Sequence, residues 1–225
     1  PNANGDVLAP FLIELAGYLQ SDIVAKGYGK PAIVGHSLGG LSALALAARN
    51  PELVGKVMVV DAVPFIGTIF GFASVKDAQM VAKQMSDGMR MSYDASAAVP
   101  AKPDCSGATG QAARPIGNLT NSAKGACLIP YWTAISDTRV VAQALYDDLM
   151  LDMRPHLPSI SAPVTLLYGQ DDRLLSADMA RQAFEPQFAG TPNFTARMIP
   201  YSMHFIMLDQ PDMFIAELDR FLLAP

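Results

Sequence analysis

The stretch Val34-Gly35-His36-Ser37-Leu38-Gly39-Gly40 constrains this chain more than any other. An apolar run, Ala32-Ile33-Val34, leads into a serine flanked by glycines, and a small-residue segment from Leu41 to Arg49 follows. That order reads as strand, sharp turn and helix. In such a turn the serine backbone is strained, and glycines at 35 and 39 are expected because neighbouring helix and strand leave no room for side chains. A serine hydroxyl is a poor nucleophile at neutral pH. It becomes a useful one when held out on a turn of this kind, beside a base and preorganised N–H donors. The competing reading is a glycine-rich helix entry whose serine caps the helix, so the rest of a constellation must be found.

The chain has three histidines, His36, His156 and His204. With a nucleophile on this type of turn, the chain order is Ser, then acid, then His. His36 adjoins the serine, with its side chain expected to point away from the hydroxyl. His156 lies in Arg154-Pro155-His156-Leu157-Pro158 and reads as a surface residue in a proline-fixed turn. His204 sits in Ile199-Pro200-Tyr201-Ser202-Met203-His204-Phe205, after a strand-like run and before the final helix. It is the candidate base, against the alternative of a buried structural histidine. A carboxylate that orients it should stand just beyond a strand. Gly169-Gln170-Asp171-Asp172 follows the apolar run Pro163–Tyr168 and offers two aspartates. Asp61, at the end of Val57–Val60, is a third candidate.

Apolar residues at helical spacing from Asp6 to Ala25 predict a first helix. The strand Ala32–Val34, the helix Leu38–Arg49 stopped by Asn50-Pro51, and a buried strand Val57–Asp61 follow. Apolar strands alternating with helices indicate a parallel sheet. That rhythm breaks between Pro64 and Pro155. Ser74-Val75-Lys76-Asp77 starts a helix reaching Met91, Ala95 to Asn118 reads as a long irregular loop, and a helix spans Asp137 to Met150. Methionines 80, 85, 89, 91, 150 and 153 fall in this block, which fits either an adaptable apolar lid or ordinary core filling. Beyond it lie the strand Val164–Tyr168, a helix Ser176–Phe188, the strand Phe194–Ile199 and a last helix from Pro211 to Leu223. The organisation expected is therefore a core of residues 1–63 and 156–225, with residues 64–155 inserted as a cap.

Hydrophobic residues make up 51% of the 225 and charged ones 16%, below the usual quarter, so much of the chain is destined for burial. A net charge of −5 gives no electrostatic footprint for nucleic acid or an anionic membrane. No apolar run is long enough to span a bilayer. Neither Cys105 nor Cys127 belongs to a metal-ligand cluster, and no cofactor or metal is expected. A disulfide between these two would contribute roughly 3 kcal/mol on loop-entropy grounds. It would favour a periplasmic or secreted location; two unrelated thiols would suit the cytoplasm.

Gly35-His36-Ser37-Leu38-Gly39, Gly169-Gln170-Asp171-Asp172 and His204-Phe205-Ile206-Met207-Leu208-Asp209-Gln210-Pro211 together resemble the α/β-hydrolase superfamily, nearest to capped bacterial serine esterase-like hydrolases. The resemblance implies an α/β fold with a mostly parallel sheet flanked by helices and an inserted helical cap. It implies Ser37 as nucleophile, His204 as general base and then acid, and the Leu38 N–H as one oxyanion donor. The Gly-x-x-Asp spacing of related turns selects Asp172 as the acid and leaves Asp171 to cap or face solvent; a few relatives place the acid at the position of Asp61. The implied substrate is a small ester with an apolar acyl or aryl group. Amide, lactone or carbon–carbon bond hydrolysis, or a hydrolytically weak binding relative, are the alternatives. Family members carry further strands, and the loop bearing a second oxyanion donor, ahead of the first helix seen here. The resemblance thus leads to the expectation that an N-terminal remainder of the same fold completes the sheet.

Overall fold

A computed structural model describes residues 10–94 and 96–224 of the chain. The predicted start of the first helix, Asp6 to Ala9, lies outside the described residues. Helix α1 runs Pro10–Lys26 and strand β1 Ala32–His36; helix α2 spans Leu38–Arg49 and strand β2 Lys56–Val60. After a long insertion come β5 (Val164–Gln170), α6 (Ala177–Phe184), β6 (Phe194–Pro200), the one-turn α7 (Ile206–Asp209) and α8 (Pro211–Leu223).

The four core strands form one parallel sheet in the order β1-β2-β5-β6. Its register is fixed by side-chain alternation. Along β2, Val57 and Val59 join the cluster built with α2, Leu166 and Tyr168, whereas Met58 and Val60 point to the other face with Leu167, Ile199 and Phe221. All four of these β2 residues are at most 1% exposed, as expected for a strand covered on both faces. Burying each such side chain stabilises the fold by about 1.5–3 kcal/mol. Strand β1 stands at one edge of the sheet among the described residues, with Val34 exposed there.

Because the strands are parallel, all four carboxyl ends open on the same side, where open α/β sheets collect their chemistry. Ser37 follows β1, Asp61 follows β2, Asp171 follows β5 and the His204 loop follows β6.

The segment between β2 and β5 contains α3 (Val75–Met91), the hairpin β3 (Gln111–Ile116) and β4 (Thr120–Ser122), α4 (Ala123–Ile135) and α5 (Thr138–Leu149). The predicted capping box is present: the Asp77 N–H donates to Ser74 Oγ at 3.4 Å, and the Ser74 N–H donates to Asp77 Oδ2 at 3.1 Å. One expectation fails here. The stretch read as irregular, Ala95 to Asn118, carries the first strand of the hairpin; the second, just beyond it, is buried although it consists of Thr, Asn and Ser, a composition that signals a loop. Helix α3 turns Ala78, Ala82 and Ser86 inward against α5, while Met80, Met85 and Met91 are exposed. Small inward residues let the two helices approach closely. Cys105 and Cys127 are joined as a disulfide, with 6.0 Å between their Cα atoms, tying the loop ahead of the hairpin to α4.

Candidate active site

Ser37 sits at φ 53° and ψ −126°, a strained conformation for a residue with a side chain. Its N–H donates to the Val60 carbonyl at 2.9 Å, extending the β1–β2 ladder into the turn, and its own carbonyl accepts from the Gly40 N–H at 2.8 Å as α2 begins. The serine therefore belongs to strand and helix at once, which is what holds it in the turn. A Cβ at Gly35 would lie 2.2 Å from the Gly39 carbonyl oxygen, and one at Gly40 would lie 2.9 Å from a Val59 methyl. At Gly39 an added Cβ meets nothing within 4 Å. The glycines the turn requires are thus Gly35 and Gly40. The sequence reading of Gly39 as sterically required is corrected among the described residues.

His204 reaches the same end of the sheet from the loop after β6. Its Nδ1 lies 2.8 Å from Asp61 Oδ2, and the other carboxylate oxygen of Asp61 accepts the Gly169 N–H at 2.8 Å. The side chains of His204 and Asp61 are 24% and 11% exposed, enough shielding for the pair to hold its geometry. Asp61 has a positive φ of 48°, a region that aspartate tolerates better than most residues, and its N–H donates to the Leu167 carbonyl at 2.7 Å. The backbone thus aims the carboxylate across the top of β5.

The expectation that Asp172 orients the histidine is not met. Asp172 is exposed, and its Oδ1 accepts from Gln170 Nε2 at 2.7 Å. Asp171, expected to cap or face solvent, is buried. It pairs with Arg173 and accepts from Asn121 Nδ2 at 2.8 Å, and the adjoining guanidinium holds its carboxyl far below the usual carboxylate range. The physical reason lies in the Gly169 position. The His204 loop packs so closely over it that a Cβ there would meet the Met203 and Ser202 carbonyl oxygens at 2.6 and 2.9 Å. From that placement the imidazole meets the end of β2.

His36 does not simply point away. Its ring centroid is 4.5 Å from that of His204, and its Nε2 donates to the His204 carbonyl oxygen at 2.9 Å. Since a carbonyl only accepts, the proton is on Nε2. Burial, joined by the neighbouring His204, pushes the His36 imidazole below its ordinary pKa. His156 is exposed in a 3-10 turn, Arg154–Ser159, as read from its prolines.

Among the described residues the Ser37 hydroxyl makes no hydrogen bond to His204, and the Leu38 N–H has no acceptor. The start of α2 thus leaves one backbone donor unused beside Ser37. A second carboxyl acts on the site from α5: burial pushes Asp148 up to about 7, opposed by the nearby His204, and its side chain is unpartnered among the described residues. Asp148, Asn121 and Asp209 were not singled out in the sequence as site residues. Only Asp209 left a trace there, inside the run that begins at His204.

A sequence profile of the alpha/beta hydrolase family matches residues 4–217, nearly the whole chain. The chain belongs to the alpha/beta hydrolase family. Over 64 residues it is 44% identical to an esterase of Mycobacterium tuberculosis, covering 28% of this chain and 18% of that one. Over 199 residues it is 26% identical to a Haemophilus influenzae protein provisionally named an esterase/lipase, covering 86% of this chain and 60% of that one. The chain therefore matches less than two thirds of the length of either relative. The fold is shared with the enol-lactonase of Burkholderia xenovorans LB400 (TM-score 0.61, 17% identity, 95% of this chain and 73% of the other). It is shared also with MenH from S. aureus (TM-score 0.63, 15% identity, 94% and 74%). No helix of the described residues is long and apolar enough to cross a membrane.

Proposed function

We propose that this alpha/beta hydrolase is a serine hydrolase of carboxylic esters, with Ser37 as nucleophile, His204 as general base and Asp61 as the orienting acid. The observation that carries the reading is the 2.8 Å contact between His204 Nδ1 and an Asp61 carboxylate, itself fixed by the Gly169 N–H, at the strand end adjoining a strained serine. Asp61 on Nδ1 leaves Nε2 as the nitrogen that takes the serine proton and stabilises the resulting imidazolium. Ser37 Oγ adds to the ester carbonyl, and the Leu38 N–H donates to the developing oxyanion. Collapse of the tetrahedral species expels the alcohol, which receives the proton from His204. Water, activated by the same imidazole, then adds to the acyl-enzyme, and its collapse releases the carboxylic acid and frees Ser37. Serine and base must come within hydrogen-bond reach as substrate fills the site, a tightening common in catalytic sites. The esterase-named relatives support this reading, and the substrate we propose is a small ester with an apolar acyl or aryl group.

The test uses the full-length protein. It should hydrolyse a short-chain p-nitrophenyl ester and be labelled at Ser37 by a fluorophosphonate, and Ser37→Ala should lose both properties. Retained turnover in Ser37→Ala would overturn the proposal.

A further inference from the structure

Strand β4 is a short polar strand placed where a core would normally be apolar. Thr120 is fully buried, Asn121 is 2% exposed and Ser122 6%. Burying three such side chains is unfavourable unless each finds a partner. Each does: Thr120 and Asn121 find theirs in the histidine loop and the turns beside it, and Ser122 within the inserted segment itself. Asp209 Oδ1 accepts from the Thr120 hydroxyl, from the Asn121 N–H at 3.1 Å and from the Ser122 N–H at 3.1 Å. Asp209 Oδ2 accepts from the N–H of Met203, the residue before His204, at 2.8 Å. One carboxylate therefore binds the inserted segment with one oxygen and the histidine loop with the other.

The contacts around it run the same way. The His204 and Phe205 N–H groups donate to the Asn118 and Leu119 carbonyls at 3.3 and 2.8 Å. Asn121 Nδ2 donates to the Tyr201 carbonyl and to Asp171 Oδ2, both at 2.8 Å. The Ser122 hydroxyl, which pairs with the Thr120 hydroxyl at 3.1 Å, accepts from the Gly125 N–H at 3.0 Å, anchoring the strand to α4. A Cβ at Gly125 would lie 2.1 Å from Thr120 Oγ1, so strand and helix touch at a point that admits only glycine. From Tyr201 to Phe205, backbone groups of the histidine loop are tied to the inserted segment, to Asp209 or to His36, while the Ser202 N–H donates to the Gln170 carbonyl at 3.0 Å and the Tyr201 carbonyl also accepts from Gln210 Nε2 at 3.0 Å.

We infer that Asp209, together with strand β4, is a positioning element for His204, so that the segment capping the site also forms part of the scaffold of its base. This rests on His204 acting as the base, as proposed above. The link has a chemical consequence for motion: the cap cannot lift along its β4 edge without releasing the peptide groups that hold His204.

Asp209→Asn separates the two halves of this clamp. Its carbonyl oxygen can keep the three donors of β4 while its NH2 group replaces Oδ2 and opposes the Met203 N–H, donor against donor. The full-length variant, assayed with p-nitrophenyl butyrate well below its melting temperature, should lose kcat by up to about 100-fold with KM little changed, the scale of a base misplaced by about 1 Å. Because unfolded protein would lower the apparent kcat at unchanged KM, kcat is referred to the folded fraction measured by circular dichroism at the assay temperature. The downfield proton resonance of the His204 Nδ1–H bonded to Asp61 should shift or broaden in parallel. Thr120→Val, nearly isosteric, removes the hydroxyl from the other half and should move both readouts in the same direction, which keeps the test open if Asp209→Asn does not fold. Unchanged kcat and an unchanged resonance in a folded variant would overturn the inference. Should the parent protein hydrolyse no ester, the proposed function fails by itself. The resonance then decides the clamp alone: a shift supports it, and no shift overturns it.

Discussion

Asp148 offers the most quantitative test of the structure. It lies on the last turn of α5, unpartnered among the described residues, and burial raises its carboxyl from an ordinary 3.8 to about 7. A group whose folded pKa is raised in this way binds a proton in the native state that the unfolded chain has already lost. Between pH 4 and 7 the native state therefore holds more protons, and stability falls as pH rises through that window. The shift of about three units corresponds to about 4 kcal/mol, fully expressed above pH 7, about half expressed near pH 5.5 and absent below pH 4. Replacing the carboxyl by an amide of the same shape removes the titration. Asp148→Asn should be more stable than the parent by up to about 4 kcal/mol at pH 8, or roughly 8–15 °C in Tm for a chain of this size, with the difference vanishing near pH 4. Thermal unfolding followed by circular dichroism at pH 4, 5.5 and 8 measures it. An Asn variant with the parent's Tm at pH 8, or with a gain that does not vary with pH, would refute the reasoning. A pH-independent gain would mean that lost packing or polarity, not a displaced proton, was at work.

Three further outcomes follow from the geometry. Asp61→Asn should lower kcat/KM for the ester about 10⁴-fold, because the amide can hold the wrong imidazole tautomer, while Asp172→Asn should leave it nearly unchanged; steady-state kinetics on both variants decide between the two carboxylates. Gly35→Ala forces a Cβ to within 2.2 Å of a backbone oxygen and should cost at least about 3 kcal/mol or prevent folding, whereas Gly39→Ala should melt within a few degrees of the parent. Replacing Cys105 and Cys127 by serine opens a loop with a sequence separation of 22 and should lower stability in urea by about 3 kcal/mol; unchanged stability would mean the bridge constrains little in the unfolded chain.

Local chemistry made part of this molecule legible from the chain alone. The serine turn could be read because a strained serine between glycines has a short-range signature, and its φ of 53° is written into seven consecutive residues. The parallel strands were visible because burial on both faces demands near-continuous apolar runs such as Val57–Val60. The place of His204 in the loop after β6 was legible from the strand-like run before it, and the capping box of α3 from four residues. The hairpin was hidden because a strand that buries Thr120, Asn121 and Ser122 has no hydrophobic signal; its stability comes from partners 50 to 90 residues away.

Sequence by itself thus fixed that a serine, a histidine and at least one aspartate would gather at the carboxyl ends of a parallel sheet. Which aspartate meets the histidine was a matter for the tertiary structure. Asp61 and Asp172 each follow an apolar strand and look alike in one dimension. They differ because β2 and β5 are neighbours, the His204 loop packs onto Gly169 without room for a side chain, and the imidazole therefore comes to rest over the end of β2. Direction in space, set by backbone packing between distant segments, made that choice.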